Sequence, residues 1–219
     1  MKKEIIRNPH RMIWTSSYDR GLIYLLKMWP KIKEKVNDAE LYIFYGWNLF
    51  DTIHKNNPGM MVWKNSLLQL MSQSGIIEGG RISHKQLKEE FKKSAIWAYP
   101  TDFTEISCIS AMKAQIYGAI PVCTDYAALS ETVKNGLRVD VDMRTEEGQK
   151  EYVEALINLL NDPAKQAEIR EPMMKFAKDY FAWSQVALLW DEKLRIGLQN
   201  PERIYESREN TETETIGYT

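Results

Sequence analysis

Cysteine and histidine are scarce in this chain of 219 residues, which has two of the first and three of the second. A protein metal site needs several such ligands at set spacings. His84 has no second histidine, cysteine or carboxylate at ligand spacing, so neither a metal ion nor another cofactor is expected, and His84 reads as a surface residue at a helix start. Cys108 and Cys123 fall on a predicted helix and an adjacent predicted strand among apolar neighbours, which suits reduced core thiols better than a disulfide. A cytoplasmic location is expected from that. No run approaches the ~20 apolar residues of a membrane span, so no transmembrane segment is expected. Met1-Lys2-Lys3-Glu4 is followed by two isoleucines rather than by a signal-peptide core. Neither sign of charge prevails: 29 lysines and arginines face 30 acidic residues. That balance gives no overall field for nucleic acid or an anionic membrane. Also missing are a P-loop, a G-x-G-x-x-G after the first strand and a Ser-His-Asp order, which argues against ATPase, dinucleotide and hydrolase chemistry.

What is present is enough chain for one substantial domain with a full core. Arg11 to Ser16 reads as a first strand, followed by the loop Ser17-Tyr18-Asp19 and a helix opening at Arg20-Gly21, where Leu22, Leu25, Leu26 and Trp29 share one face. Pro30 is expected to end or kink that helix. Ala39 to Tyr45 supplies the next strand, closed by Gly46. Asparagines, Pro58 and Gly59 predict a loop from Trp47 to Met61, with helical spacing resuming from Val62 to Met71. Gly75 to Glu78 is a short strand, and Ser83 with Gln86 has the spacing of a capping box for a helix from Lys85 to Lys93. Ala95 to Tyr99 is a buried strand, Pro100 to Thr104 its loop, and Ile106 to Tyr117 a helix stopped by Gly118. Ile120 to Cys123 and Leu137 to Val139 are the last strands. Helices follow at about 146–160, 163–180 and 184–196, with Asp162-Pro163 as a helix start. Six strands alternating with helices predict an α/β fold, a doubly wound parallel sheet with C-terminal helices, in residues 1–199. Residues 200–219 are polar and expected to be disordered. In such a sheet the ligand crevice lies outside the carboxyl ends of the strands.

The segment from Tyr99 to Val133, YPTDFTEISCISAMKAQIYGAIPVCTDYAALSETV, resembles the donor-binding signature of retaining glycosyltransferases of the GT-B fold, family 4. Members carry a glutamate, seven residues and a second glutamate. Here Glu105 holds the first place and Lys113 the second, and Ala114-Gln115 and Gly118 to Val122 match the helix end and following strand. The likeness runs from about Arg11 to about Trp190. Trp29-Pro30-Lys31-Ile32, Gly80-Arg81-Ile82-Ser83 and the stretch from Trp183 to Trp190 also resemble relatives. The resemblance implies the Rossmann-like, carboxyl-terminal donor-binding half of a two-domain transferase. It further implies a nucleoside-diphosphate sugar as ligand, an N-terminal acceptor domain or partner chain, and no metal.

Such a ligand presents phosphates, a diol, a base and sugar hydroxyls, so its site needs amide donors, a cation and a carboxylate. The amides of Ile106, Ser107 and Cys108, at the predicted helix start, suit the distal phosphate. An ordinary helix start capped by Thr104 or Asp102 fits the same residues. The resemblance implies that Glu105 grips the donor sugar and that Arg20 contacts the diphosphate. Gly21 would allow close approach there, with hydroxyls from Ser16, Ser17 and Thr104 nearby. A glutamate in a helix's first turn is also what the helix dipole favours. Lys113 stands where the family receives the ribose diol with a carboxylate; it could donate to ribose or phosphate, or be a solvated lysine. The turn holding Arg81 and Ile82 lines the base pocket in relatives, and Glu131 resembles the glutamate closing their second loop. Asp102 and Asp125 lie in the right loops without an assigned role. Two further readings share these residues: a nucleotide-sugar epimerase, and a non-catalytic donor-binding subunit of a split transferase.

Overall fold

The computed structural model describes residues 6–199. Its strands are β1 (Asn8–Trp14), β2 (Glu40–Ile43), β3 (Ile76–Glu78), β4 (Ser94–Tyr99), β5 (Ile120–Thr124) and β6 (Leu137–Val139). All pair in parallel, in the order β3-β2-β1-β4-β5-β6. The expected doubly wound sheet is therefore present. The chain builds outward from β1 to β3, then crosses to β4 and builds the other way, so the strand order reverses between β1 and β4. Every residue of β4 and β5 is buried, as central strands covered on both faces require.

The helices are α1 (Leu22–Lys35), α2 (Asn48–His54), α3 (Pro58–Met71), α4 (His84–Lys93), α5 (Ile109–Tyr117), α6 (Leu129–Thr132), α7 (Glu146–Leu160), α8 (Pro163–Tyr180) and α9 (Trp183–Gln199). Among the described residues, compact packing separates those up to Ala177 from those beginning at Lys178. The first unit holds the sheet, helices α1 to α7 and α8 as far as Ala177. The second holds the end of α8 and α9, whose Arg195 pairs with Asp191 one turn away. The expectation for residues 200–219 lies outside the described residues. Among the described residues no helix is long and apolar enough to cross a membrane.

Three local expectations are corrected. Of the end or kink expected at Pro30, the end does not occur, because helix α1 continues to Lys35. Proline cannot donate to the carbonyl four residues earlier. The side chain of Gln73 does so instead, its Nε2 lying 2.9 Å from Leu26 O. The stretch from Trp47 to Met61 is not a loop but α2 and the start of α3. Asn57 there is a helix cap, its side chain accepting from the Met60 amide, and Pro58 takes the first helical position. Helix α5 starts at Ile109 rather than Ile106, with Cys108 at the N-cap position. The capping box of Ser83 and Gln86, the Asp162 cap and the Gly118 stop are all formed.

Candidate active site: a buried carboxylate at the reversal of strand order

Strand β1 ends at Trp14, short of the expected Ser16, because the Trp14 indole donates to Ser16 O at 2.7 Å and the chain leaves the ladder there. Thr15, Ser16 and Ser17 are thereby turned toward the crevice. Arg20 and Gly21 follow. Gly21 adopts φ 99°, and a Cβ on it would lie 2.3 Å from Pro100 O. Only glycine lets the start of α1 approach the loop after β4 this closely. That loop is fastened to its neighbour after β5: Thr124 Oγ1 donates to Thr101 O at 2.7 Å, and the Ala128 amide donates to Glu105 O at 3.1 Å.

Between the loop after β1 and the loop after β4 lies an open cleft of about 540 Å³, counting the part open to solvent, lined by Thr15, Ser16, Ser17, Arg20, Tyr45, Glu105, Ser107, Cys108, Ile109 and Ser110. Glu105 is only 5% exposed. The Tyr99 hydroxyl donates to its Oε1 at 2.6 Å, and Arg20 Nη1 lies 3.1 Å from both carboxylate oxygens. The guanidinium also sits over the Phe103 ring, 4.3 Å from its centroid. Burial alone would lower the Arg20 pKa, but the charge and hydrogen bonds of Glu105 outweigh it and hold the pKa above its ordinary value. Burial, then the bond to Glu105, raises the Tyr99 pKa well above the phenol range. Tyr99 is therefore a fixed donor to Glu105. Its backbone amide is held in turn by Tyr152 Oη at 3.1 Å, and its ring stacks on Trp97. The two thiols are free, as expected, and burial pushes Cys108 up to about 12.

The structure thus brings Ser16, Ser17, Arg20, Glu105, Ser107 and Cys108 into one cleft and sets Gly21 at its edge. Other expected residues stand apart. Ile106 is 94% exposed and precedes the helix, so the first-turn amides of α5 are those of Ile109, Ser110 and Ala111 rather than Ile106, Ser107 and Cys108. Neither Thr104 nor Asp102 caps α5: Thr104 meets the Tyr126 hydroxyl at 3.3 Å, and Asp102 accepts from Tyr24 at 2.8 Å. Asp125 pairs with Arg138 at 2.9 Å. Lys113 faces α4, its Nζ 3.0 Å from His84 Nδ1, and not the cleft of Glu105. Arg81 is exposed, its backbone and Cβ lying against Gly46, and Ile82 packs on the core. Glu131 is exposed on α6. Tyr99 and Tyr45 were not singled out from the sequence. Tyr99 read as a core aromatic of a buried strand, and nothing local distinguishes it from Trp97. Among the described residues no group of three or more His, Cys, Asp or Glu side chains could hold a metal ion.

Solved structures share this fold. A glycosyltransferase from Rickettsia africae ESF-5 aligns with a TM-score of 0.66 at 16% identity, over 90% of this chain and 49% of its own. The Anabaena protein HepE in complex with UDP-glucose gives 0.65 at 14%, over 86% and 49%. The pneumococcal O-GlcNAc transferase GtfA in complex with UDP and GlcNAc gives 0.61 at 13%, over 89% and 37%. The chain spans 37 to 49% of the length of these proteins. A search among curated proteins finds no match. The family model for glycosyl transferases group 1 matches residues 12–178, covering both loops of the cleft and most of the sheet. The chain therefore belongs to the group 1 glycosyltransferases, and its parallel sheet is the Rossmann-like α/β fold of their GT-B structures.

Proposed function

We propose that this chain is the donor-binding half of a retaining, metal-independent glycosyltransferase of family 4, which takes a sugar from a nucleoside diphosphate in the cytoplasm. The observation that carries this reading is the buried Glu105 carboxylate, fixed by Tyr99 and Arg20 where the strand order reverses. A carboxylate so placed accepts hydrogen bonds from sugar hydroxyls and sets the ring's orientation. Arg20 spends one nitrogen, Nη1, on Glu105, and its guanidinium makes no other hydrogen bond among the described residues. Nε and Nη2 are left to meet two oxygens of a diphosphate. Ile109 and Ser110 line the same cleft at the start of α5, so amides at the positive end of a nine-residue helix share that charge. Catalysis is then electrostatic: the developing charge of the departing nucleoside diphosphate is stabilised while Glu105 holds the sugar. Lys113, occupied with His84, departs from the second acidic position of family 4, and the ribose contact falls to other groups. A further domain or a partner chain completes the acceptor side, in keeping with the 37 to 49% of relatives that this chain spans.

Calorimetry of the 219-residue chain against UDP-, GDP-, ADP- and dTDP-sugars tests this reading. At least one should bind with a Kd in the micromolar to millimolar range, roughly −8 to −4 kcal/mol. Arg20→Ala should weaken it by about tenfold, the ~1.4 kcal/mol of one charged contact. No binding of any of them at millimolar concentration would overturn the proposal.

A further inference from the structure

Beside the Glu105 cleft, and sharing Ser17 and Tyr45 with it, lies a second pocket of about 570 Å³ including its open mouth. Its walls are mostly aromatic, from Tyr18, Tyr45, Trp47, Phe50, Trp63 and His54, with aliphatic surface from Leu49, Ile53 and Met60. Of the two helices that frame it, α2 and the start of α3 come from the stretch whose composition suggested a loop. Tyr18 is a rigid wall, since its hydroxyl donates to Glu78 at 2.8 Å and accepts from the Gly46 amide at 2.9 Å.

Three observations narrow the occupant. The lining contains one carboxylate, Asp19, and no lysine or arginine, so it suits a neutral ligand and not a phosphate. Trp47 meets its neighbours edge to face, Tyr18 at 67°, Phe50 at 82° and Trp63 at 71°, while Phe50 and Trp63 are tilted by 34° with centroids 5.3 Å apart, too close to admit a ring between them. These pairs leave no parallel slot to sandwich a flat base. The indole N–H of Trp47 is buried without a hydrogen-bond partner. Three other buried indoles all have one: Trp14 on Ser16 O, Trp29 on Ser74 O and Trp97 on Thr15 Oγ1. A buried orphan donor calls for an acceptor, which a purely hydrocarbon ligand cannot supply. A ligand with an apolar face and a rim of hydroxyls satisfies all three conditions.

We propose that this pocket is a carbohydrate subsite that seats one neutral pyranose ring of a saccharide acceptor. The ring's C–H face lies on Trp63 and Phe50, and its hydroxyls reach Asp19, Ser17 and, after a small turn of the indole, Trp47. Its assignment to the acceptor rests on the donor reading of the Glu105 cleft, because the shared Ser17 and Tyr45 are what place the two ligands side by side.

Saturation-transfer NMR on the full chain, with the methyl glycosides of glucose, galactose, mannose and N-acetylglucosamine, tests the subsite. Each is used at about 10 mM, above the Kd of a weak small-molecule site. At least one should receive saturation, strongest at its ring C–H protons, and Trp63→Ala should cut that signal at least about fivefold. Asp19→Asn, at an exposed position, should also reduce it, which keeps the test decisive should the tryptophan variant misfold. The subsite is overturned by no signal from any glycoside, by signals that neither substitution changes, or by displacement of the glycoside by uridine or guanosine. A parallel titration with UDP and GDP reads the neighbouring cleft. Glycoside binding without nucleotide binding supports the subsite and overturns its assignment to the acceptor.

Discussion

Replacing Tyr99 by phenylalanine removes the single oxygen that holds Glu105 from within the core. The ring keeps its contacts with Trp97 and Trp14, whose centroids lie 4.6 and 4.9 Å away. What disappears is the 2.6 Å hydrogen bond to Glu105. Because Glu105 is 5% exposed, water cannot readily take the vacant place. Hydrogen bonds to charged groups contribute about 1.5–3 kcal/mol. At 2–4 °C per kcal/mol for a chain of this size, the melting temperature should fall by about 3–12 °C. Loss of any buried hydroxyl could lower stability, so the decisive measurement is a double-mutant cycle with Glu105→Gln, read by urea denaturation at neutral pH. Glutamine keeps the shape and still accepts from Tyr99, but the bond is then neutral and worth only about 0.5–1.5 kcal/mol. The two substitutions should therefore couple by about 1 kcal/mol, above the ~0.5 kcal/mol within which independent sites add. Additivity within that limit would refute the idea that Tyr99 acts through the Glu105 charge. Tyr99→Phe should also weaken a nucleoside-diphosphate sugar more than the bare nucleoside diphosphate, since Arg20 is untouched. An equal loss for both would leave Tyr99 a merely structural residue.

Gly21→Ala should destabilise the chain by at least about 2 kcal/mol in urea, through left-handed strain and collision with Pro100 O; a loss below about 0.5 kcal/mol would contradict the close approach. Gln73→Ala should cost about 1–2 kcal/mol by orphaning the Leu26 carbonyl, and much less in a Pro30→Ala background, where the restored amide can reach that oxygen. Equal costs in the two backgrounds would rule out this account of how α1 passes Pro30. Burial works against the Glu90 charge, but hydrogen bonds from Lys93 and Arg11 prevail and hold its pKa below the ordinary 4.5. The stability from this depressed carboxylate is fully present above pH 4.5 and is lost as the pH falls through the lower folded value. Wild type and Glu90→Gln should accordingly converge in acid unfolding titrations, and a constant gap down to the acid limit would remove Glu90 from the balance.

Local chemistry in the sequence determined the alternation of strands and helices, the buried β4 and β5, the Ser83 and Asp162 caps and the stop at Gly118. Each depends on neighbours within a few residues. The resemblance to family 4 singled out Glu105 and Arg20, and Ser16 and Ser17 joined them as hydroxyls at a strand's carboxyl end, where a parallel sheet meets its ligand. Tertiary structure decided what those residues do to one another. Arg20 and Glu105 are 85 residues apart in the chain, and only the β1–β4 pairing closes them to 3.1 Å. Tyr99 became part of the site because the loop after β4 folds back over the strand that carries it. Helix α1 survives Pro30 because Gln73, 47 residues from Leu26, supplies the missing donor. The asparagines and proline after Trp47 carry turn and helix-start signals alike. Packing of Tyr18, Phe50 and Trp63 against Trp47 chose between them, since burying aromatic surface outweighs a marginal local preference.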